Sequence, residues 1–104
     1  GEKQVYVTDD KGAIHALTKE NGTVAWKMDK LVTRGPTRPL ALAAGLAVAD
    51  AQGVVHLLRL EDGGFIGRTK TDGSAVRADL ARYADGFVVQ TSEGGLFVLK
   101  ANSQ

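Results

Sequence analysis

The 104-residue chain contains no cysteine, so neither a disulfide framework nor a thiolate metal site is available to it. It has two prolines, one methionine, one tryptophan, two tyrosines and three phenylalanines, so any core must be built mainly from aliphatic side chains. Its 13 basic and 12 acidic residues leave a formal charge of +1. No long-range field of one sign exists to draw in nucleic acid or anionic lipid, and nucleic acid is not an expected partner. The longest weakly polar stretch, 40–49, is ten residues and rich in alanine, against the roughly 20 needed to span a bilayer. The N-terminus opens Gly-Glu-Lys-Gln and runs directly into an apolar alternation. It lacks the charged, apolar and small-residue regions of a signal peptide, so a targeting segment is expected to be absent or removed upstream, with Gly1 a cloning remnant. No phosphate-cradling glycine loop occurs, and Ser92 and Ser103 have no His or Asp arrangement around them. Enzymatic activity is therefore not expected.

What the chain does have is glycine, 13 of them, and an apolar content of 43%. That combination fits many tight turns between short strands, and an all-β fold is the expectation. One period is plain: Gly12, Gly53 and Gly94 are each 41 residues apart, as are Leu17, Leu58 and Leu99, and Val7, Val48 and Val89. Each glycine follows an apolar run and a polar turn and precedes a second apolar run, the pattern of a hairpin whose glycine supplies φ > 0. A second turn recurs at Glu20-Asn21-Gly22 and Glu61-Asp62-Gly63, leading to further strands at 24–28 and 65–69. A fourth strand is predicted before each hairpin, at 39–43 and 78–83, with Pro39 opening the first where its missing N–H breaks no ladder.

Four short antiparallel strands repeated every 40 to 45 residues identify a β-propeller blade. Helical repeats of that period would need apolar spacings of three and four over a dozen residues, whereas these runs are about five long. With strands lettered A to D outward from the hub, 4–28 supplies B, C and D of one blade, 38–69 a complete blade, and 78–99 A, B and C of a last one. About two and a half blades cannot close a ring. The partial propeller is therefore expected to draw its missing strands from the rest of a longer chain or from self-association, since both ends present unpaired edges. The polar 100–104 is not expected to form an outer strand.

Ala16, Gly22 and Trp26 are spaced like the tryptophan-docking motif of quinoprotein-like propellers. A buried indole there needs a flat glycine-containing surface on the neighbouring blade and a backbone acceptor for its N–H. The second unit departs from the motif, with Leu57 for Ala16 and Gly67 for Trp26. From Leu46 onward the segments Val48-Ala49-Asp50-Ala51-Gln52-Gly53-Val54-Val55-His56, Glu61-Asp62-Gly63-Gly64-Phe65-Ile66 and Asp85-Gly86-Phe87-Val88-Val89-Gln90 resemble the closing, C-terminal blades of the BamB family of outer-membrane assembly propellers. The resemblance implies a lipid-anchored periplasmic scaffold of the β-barrel assembly machinery. It further implies contacts with the POTRA domains of BamA through earlier blades, outer-membrane protein clients, no cofactor, and a last blade completed by an N-terminal strand. The competing resemblance is to a quinoprotein dehydrogenase using pyrroloquinoline quinone and calcium, which intact docking motifs and hub-facing carboxylates would accompany.

Four residues are expected at blade interfaces: Trp26 and Gly22 from the motif, and His15 and His56, which hold the same place in successive repeats. A metal role for the two histidines would need a third ligand that no fixed spacing supplies. The B–C turns and D–A loops should share one face of the disc, collecting Asp9, Asp50, Arg34, Arg38 and Arg77. That face reads either as a solvated mixed-charge surface with weak ion pairs or as an interaction rim whose arginines anchor carboxylates. Leu31 and Val32, placed on a loop, are expected to add an exposed apolar contact.

Overall fold

The structure is a computed structural model that describes residues 4–100; Gly1 and the tail 101–104 lie outside the described residues. Among the described residues ten strands form three antiparallel sheets. The first holds β1 (Gln4–Thr8), β2 (Ile14–Thr18) and β3 (Val24–Met28). The second holds β4 (Leu40–Leu42), β5 (Gly45–Ala49), β6 (Val54–Leu58) and β7 (Phe65–Lys70), and the third β8 (Ala81–Tyr83), β9 (Gly86–Gln90) and β10 (Leu96–Lys100). Within each sheet consecutive strands are neighbours, the up-and-down order of a propeller blade. β1, β5 and β9 start 41 residues apart, as do β4 and β8. The first strands of the second and third sheets are three residues long, shorter than the apolar pattern predicts, and Pro39 lies just before β4 rather than in it.

Period-two alternation explains how the sheets stack. Along β5, Leu46 and Val48 face one way, joining Ile14, Ala16, Trp26, Met28 and Leu58 between the first and second sheets. Ala47 and Ala49 face the other way, joining Val55, Val76, Leu80, Phe87 and Val89 between the second and third. β5 is thus buried along its whole length, which is why its sequence is a continuous apolar run instead of an alternation. In β1 and β10 one face has no sheet against it, and Val5, Val7, Leu96 and Val98 are exposed there.

Each B–C hairpin turns on a glycine in the left-handed region: φ is 91° at Gly12, 79° at Gly53 and 89° at Gly94. At Gly53 a side chain would also collide, since a Cβ there would lie 2.6 Å from Ser74 O. A bulge recurs as well. The β2–β3 register skips Ala25 between Ala16 and Leu17, and the β6–β7 register skips Ile66 between Leu57 and Leu58. The bulge sits beside Trp26 and sets the direction in which that side chain leaves the strand.

The connection between the first two sheets contains a short 3₁₀ turn, Val32–Arg34, which the sequence pattern did not reveal. Arg34 N–H donates to Leu31 O at 2.9 Å and folds the loop inward. Leu31 is therefore only 1% exposed and belongs to the first interface core, correcting the expectation of an exposed apolar pair. Val32 alone of the two stays outside.

Candidate functional site

Trp26 leaves β3 and crosses to the second sheet. Its Nε1–H donates to Leu60 O at 2.9 Å, and the indole lies against Gly63, where an added Cβ would sit 2.6 Å from the ring. Tyr6 packs beside it, with ring centroids 6.1 Å apart. The glycine that receives the indole is thus not Gly22 but its counterpart one repeat later. Gly22 itself has φ +72° and nothing within 4 Å of a built Cβ, so within the described residues it serves the C–D turn and packs nothing. The second interface lacks the device: at Gly67 a Cβ would meet nothing within 4 Å, and a cavity of about 220 Å³ lies there, lined by Val55, Leu57, Gly67, Phe87 and Leu99.

The B–C turns carry a second repeated device. Asp9 Oδ1 accepts from Lys11 N–H (2.9 Å) and Ala13 N–H (3.0 Å), while Oδ2 pairs with His15 Nε2 at 2.8 Å. One repeat on, Asp50 Oδ1 accepts from Gln52 N–H and Val54 N–H, and Oδ2 pairs with His56 Nε2 at 2.7 Å. Arg34 Nε adds a third bond to that Oδ2 at 2.6 Å. In the third repeat Thr91 stands for the aspartate, accepting from Gly95 N–H, and Phe97 stands for the histidine. The histidines are therefore placed by aspartates across the hairpin. The signal was present as two Asp–His pairs six residues apart, repeated at the common period.

Asp50 and His56 are 0% and 1% exposed. Burial opposes ionisation of Asp50, but hydrogen bonds from His56, the Val54 amide, Arg34 and the Gln52 amide outweigh it and hold its pKa below the ordinary value. Burial likewise lowers the His56 pKa, against the pull of Asp50. Asp50 is thus ionised and His56 neutral near pH 7. Asp9 is lowered to about 2, chiefly by the His15 hydrogen bond and then by the Ala13 amide.

The B–C turns and D–A loops do share a face, because they are tied to one another. Ala51 N–H donates to Arg34 O at 2.7 Å, Val76 N–H to Asp50 O at 3.1 Å, and Ser92 N–H to Ala75 O at 2.8 Å. Arg38 is exposed there, 4.0 Å from Asp79, and Arg77 is exposed too. Arg34 is partly covered by its pairing with Asp50, and Asp9 is half-buried by His15. Asp50 does not belong to an accessible rim: it is sealed inside, because the two turn amides, His56 and Arg34 enclose its carboxylate. Among the described residues no cluster of three or more His, Asp or Glu side chains could hold a metal ion.

No family model matches the chain. Outer membrane protein assembly factor BamB of Burkholderia pseudomallei is 36% identical over 89 residues, which is 86% of this chain and 23% of that protein. The likeness is to BamB. The Escherichia coli K12 protein of the same name is 27% identical over 90% of this chain and 24% of its own length. The crystal structure of BamB from Moraxella catarrhalis superposes with a TM-score of 0.86 at 30% identity, covering 93% of this chain and 28% of that one. The chain thus spans about a quarter of the length of the BamB relatives it matches, and its fold is that of a partial BamB-type propeller. Trp26 and Gly63 thus join the first two BamB-like sheets across their interface, each Asp–His pair closes its own hairpin, and Gly67 marks an interface that dispenses with the indole.

Proposed function

We propose that the chain is part of the C-terminal blades of a non-catalytic scaffold subunit of the β-barrel assembly machinery. In this reading 4–28 belongs to one blade, 38–69 is a complete blade and 78–99 belongs to the last. The observation that carries it is the continuous likeness to BamB in both sequence and fold. The parent works at the periplasmic face of the outer membrane, held by a lipid anchor. It contacts the POTRA domains of BamA through blades outside this chain and aids the folding and insertion of outer-membrane clients. A rigid disc suits that task, since loops fixed to a scaffold bind with little ordering cost, and the exposed Arg38 and Arg77 offer polar anchors on the loop face.

A chimaera tests the proposal. E. coli BamB carrying this segment in place of its matching blades should restore porin levels in the outer membrane of cells lacking BamB. A folded chimaera that reaches the periplasm, binds BamA and leaves porin levels unrestored would overturn it. The dehydrogenase alternative is tested separately: addition of pyrroloquinoline quinone with calcium is expected to leave absorbance and thermal stability unchanged.

A further inference from the structure

Between the loop that joins the first two sheets and strands β6 and β7 lies an open cavity of about 320 Å³. Lys30, Arg34, Arg68 and Lys70 line it, with His56 and Leu31 among the buried residues of its wall. Four of the 13 basic residues of a chain whose total charge is only +1 therefore converge on one hollow, and none of its lining residues is acidic. The nearby Asp50 is buried and already engaged by His56 and Arg34.

The donors around this cavity are largely unspent. Arg34 gives only Nε to Asp50, leaving its terminal nitrogens. Arg68 rests over the Phe65 ring, 4.5 Å from its centroid, an arrangement that fixes a guanidinium while leaving its edge free to meet a carboxylate. Lys30 and Lys70 form no ion pair among the described residues. His56 adds the second observation. Its Nε2 is bound to Asp50, whereas its buried Nδ1 has no hydrogen-bond partner, a condition that folded proteins rarely leave unanswered.

We propose that this cavity binds an acidic segment of a partner protein, with an Asp or Glu carboxylate held by Arg34, Arg68 and the two lysines. With Nε2–H donated to Asp50, Nδ1 is an acceptor and requires a donor. A peptide brings an N–H beside its carboxylates, whereas a bare anion brings none. The volume sits at the low end of ligand sites, roughly 300 to 1,000 Å³, enough for one side chain and its adjoining peptide and too small for a dinucleotide. The assignment stands on the cavity alone, so it can hold or fail independently of the assembly role.

The test uses the parent protein and the peptide acetyl-Glu-Glu-Glu-Glu-amide, with its all-glutamine counterpart, inorganic phosphate and phosphatidylglycerol vesicles as rivals. Calorimetry should show binding of the glutamate peptide alone, weakened about tenfold or more in the Arg68→Gln, Lys70→Gln double variant. It should be unaltered by Lys19→Gln with Lys27→Gln, which remove cations elsewhere. The His56 Nδ1 nitrogen resonance should shift on adding the glutamate peptide and stay still with phosphate. Equal binding of the glutamine peptide, no loss in the Arg68, Lys70 variant at unchanged melting temperature, or binding only of phosphate or vesicles would each overturn the proposal.

Discussion

Asp50 shows how much one side chain can organise. It closes its own hairpin through two amides, holds His56 across that hairpin and tethers the incoming loop through Arg34. Replacing it with alanine strands a buried imidazole, two turn amides and a half-buried guanidinium. The expected loss is about 3 kcal/mol, read from the urea midpoint. Thr91 performs only the turn-closing part at its own repeat, so Thr91→Ala should cost about 1 kcal/mol. The acid side of the stability curve carries both devices. His56 has its pKa lowered by folding, so its contribution is complete above about 6.5, the free imidazole value, and is lost as pH falls through the lower folded value. Asp9, also lowered, contributes above its free value of 3.8 and loses that contribution as pH falls towards about 2. His56→Gln should therefore flatten the first part of the acid titration of stability and leave the second. An unchanged slope below pH 6.5 in that variant would show that the imidazole is not the group responsible. The Asp–His pairing was legible only in part: the repeat marked both histidines as equivalent, but nothing in one dimension showed that Asp50 would be sealed from solvent while Asp9 stays half-exposed. That difference arises because the second sheet is covered on both faces.

At the scale of the element, the joint between β3 and the turn after β6 carries the first interface. Trp26→Ala removes a nearly buried indole and its bond to Leu60 O, and should cost about 3 to 4 kcal/mol in thermal or denaturant unfolding. Gly63→Ala should be comparably damaging, because the methyl meets the ring at 2.6 Å and φ is +75°. The two changes should not add: once the indole is gone, the methyl loses its main obstacle and retains only the backbone strain. A double-mutant cycle returning simple additivity would mean the ring and the glycine are not in contact. The sequence spacing pointed to a docking tryptophan, to a glycine-containing seat on the neighbouring blade and to Gly22 at a blade interface, yet it did not show that the seat is Gly63. A motif written along one chain hides the fact that its members serve different interfaces, the tryptophan looking forward and the glycine backward. The loop containing Leu31 was misread for a related reason, since a 3₁₀ turn of three residues leaves no periodicity to detect.

Across the described residues the three sheets form two apolar interfaces, the second with a cavity beside Gly67, and two uncovered faces. Val5 and Val7 on β1 and Leu96 and Val98 on β10 are exposed, and among the described residues both strands also present unpaired backbone edges. Prepared as a separate chain, the segment should associate through these surfaces. Sedimentation should show mass rising with concentration and returning towards that of a single chain in a Val5→Lys, Val98→Lys variant; a single-chain mass at every concentration in the original sequence would contradict this. Chain order alone determined the period, the four-strand unit, the turn glycines and the absence of any thiolate chemistry, because each of these is a local demand of backbone geometry repeated at fixed spacing. Only the tertiary structure decided which carboxylate is buried, which glycine meets the indole and which four cations share a hollow, because those depend on the packing of one sheet against the next, and residues 30 and 70 become neighbours only when two blades are stacked.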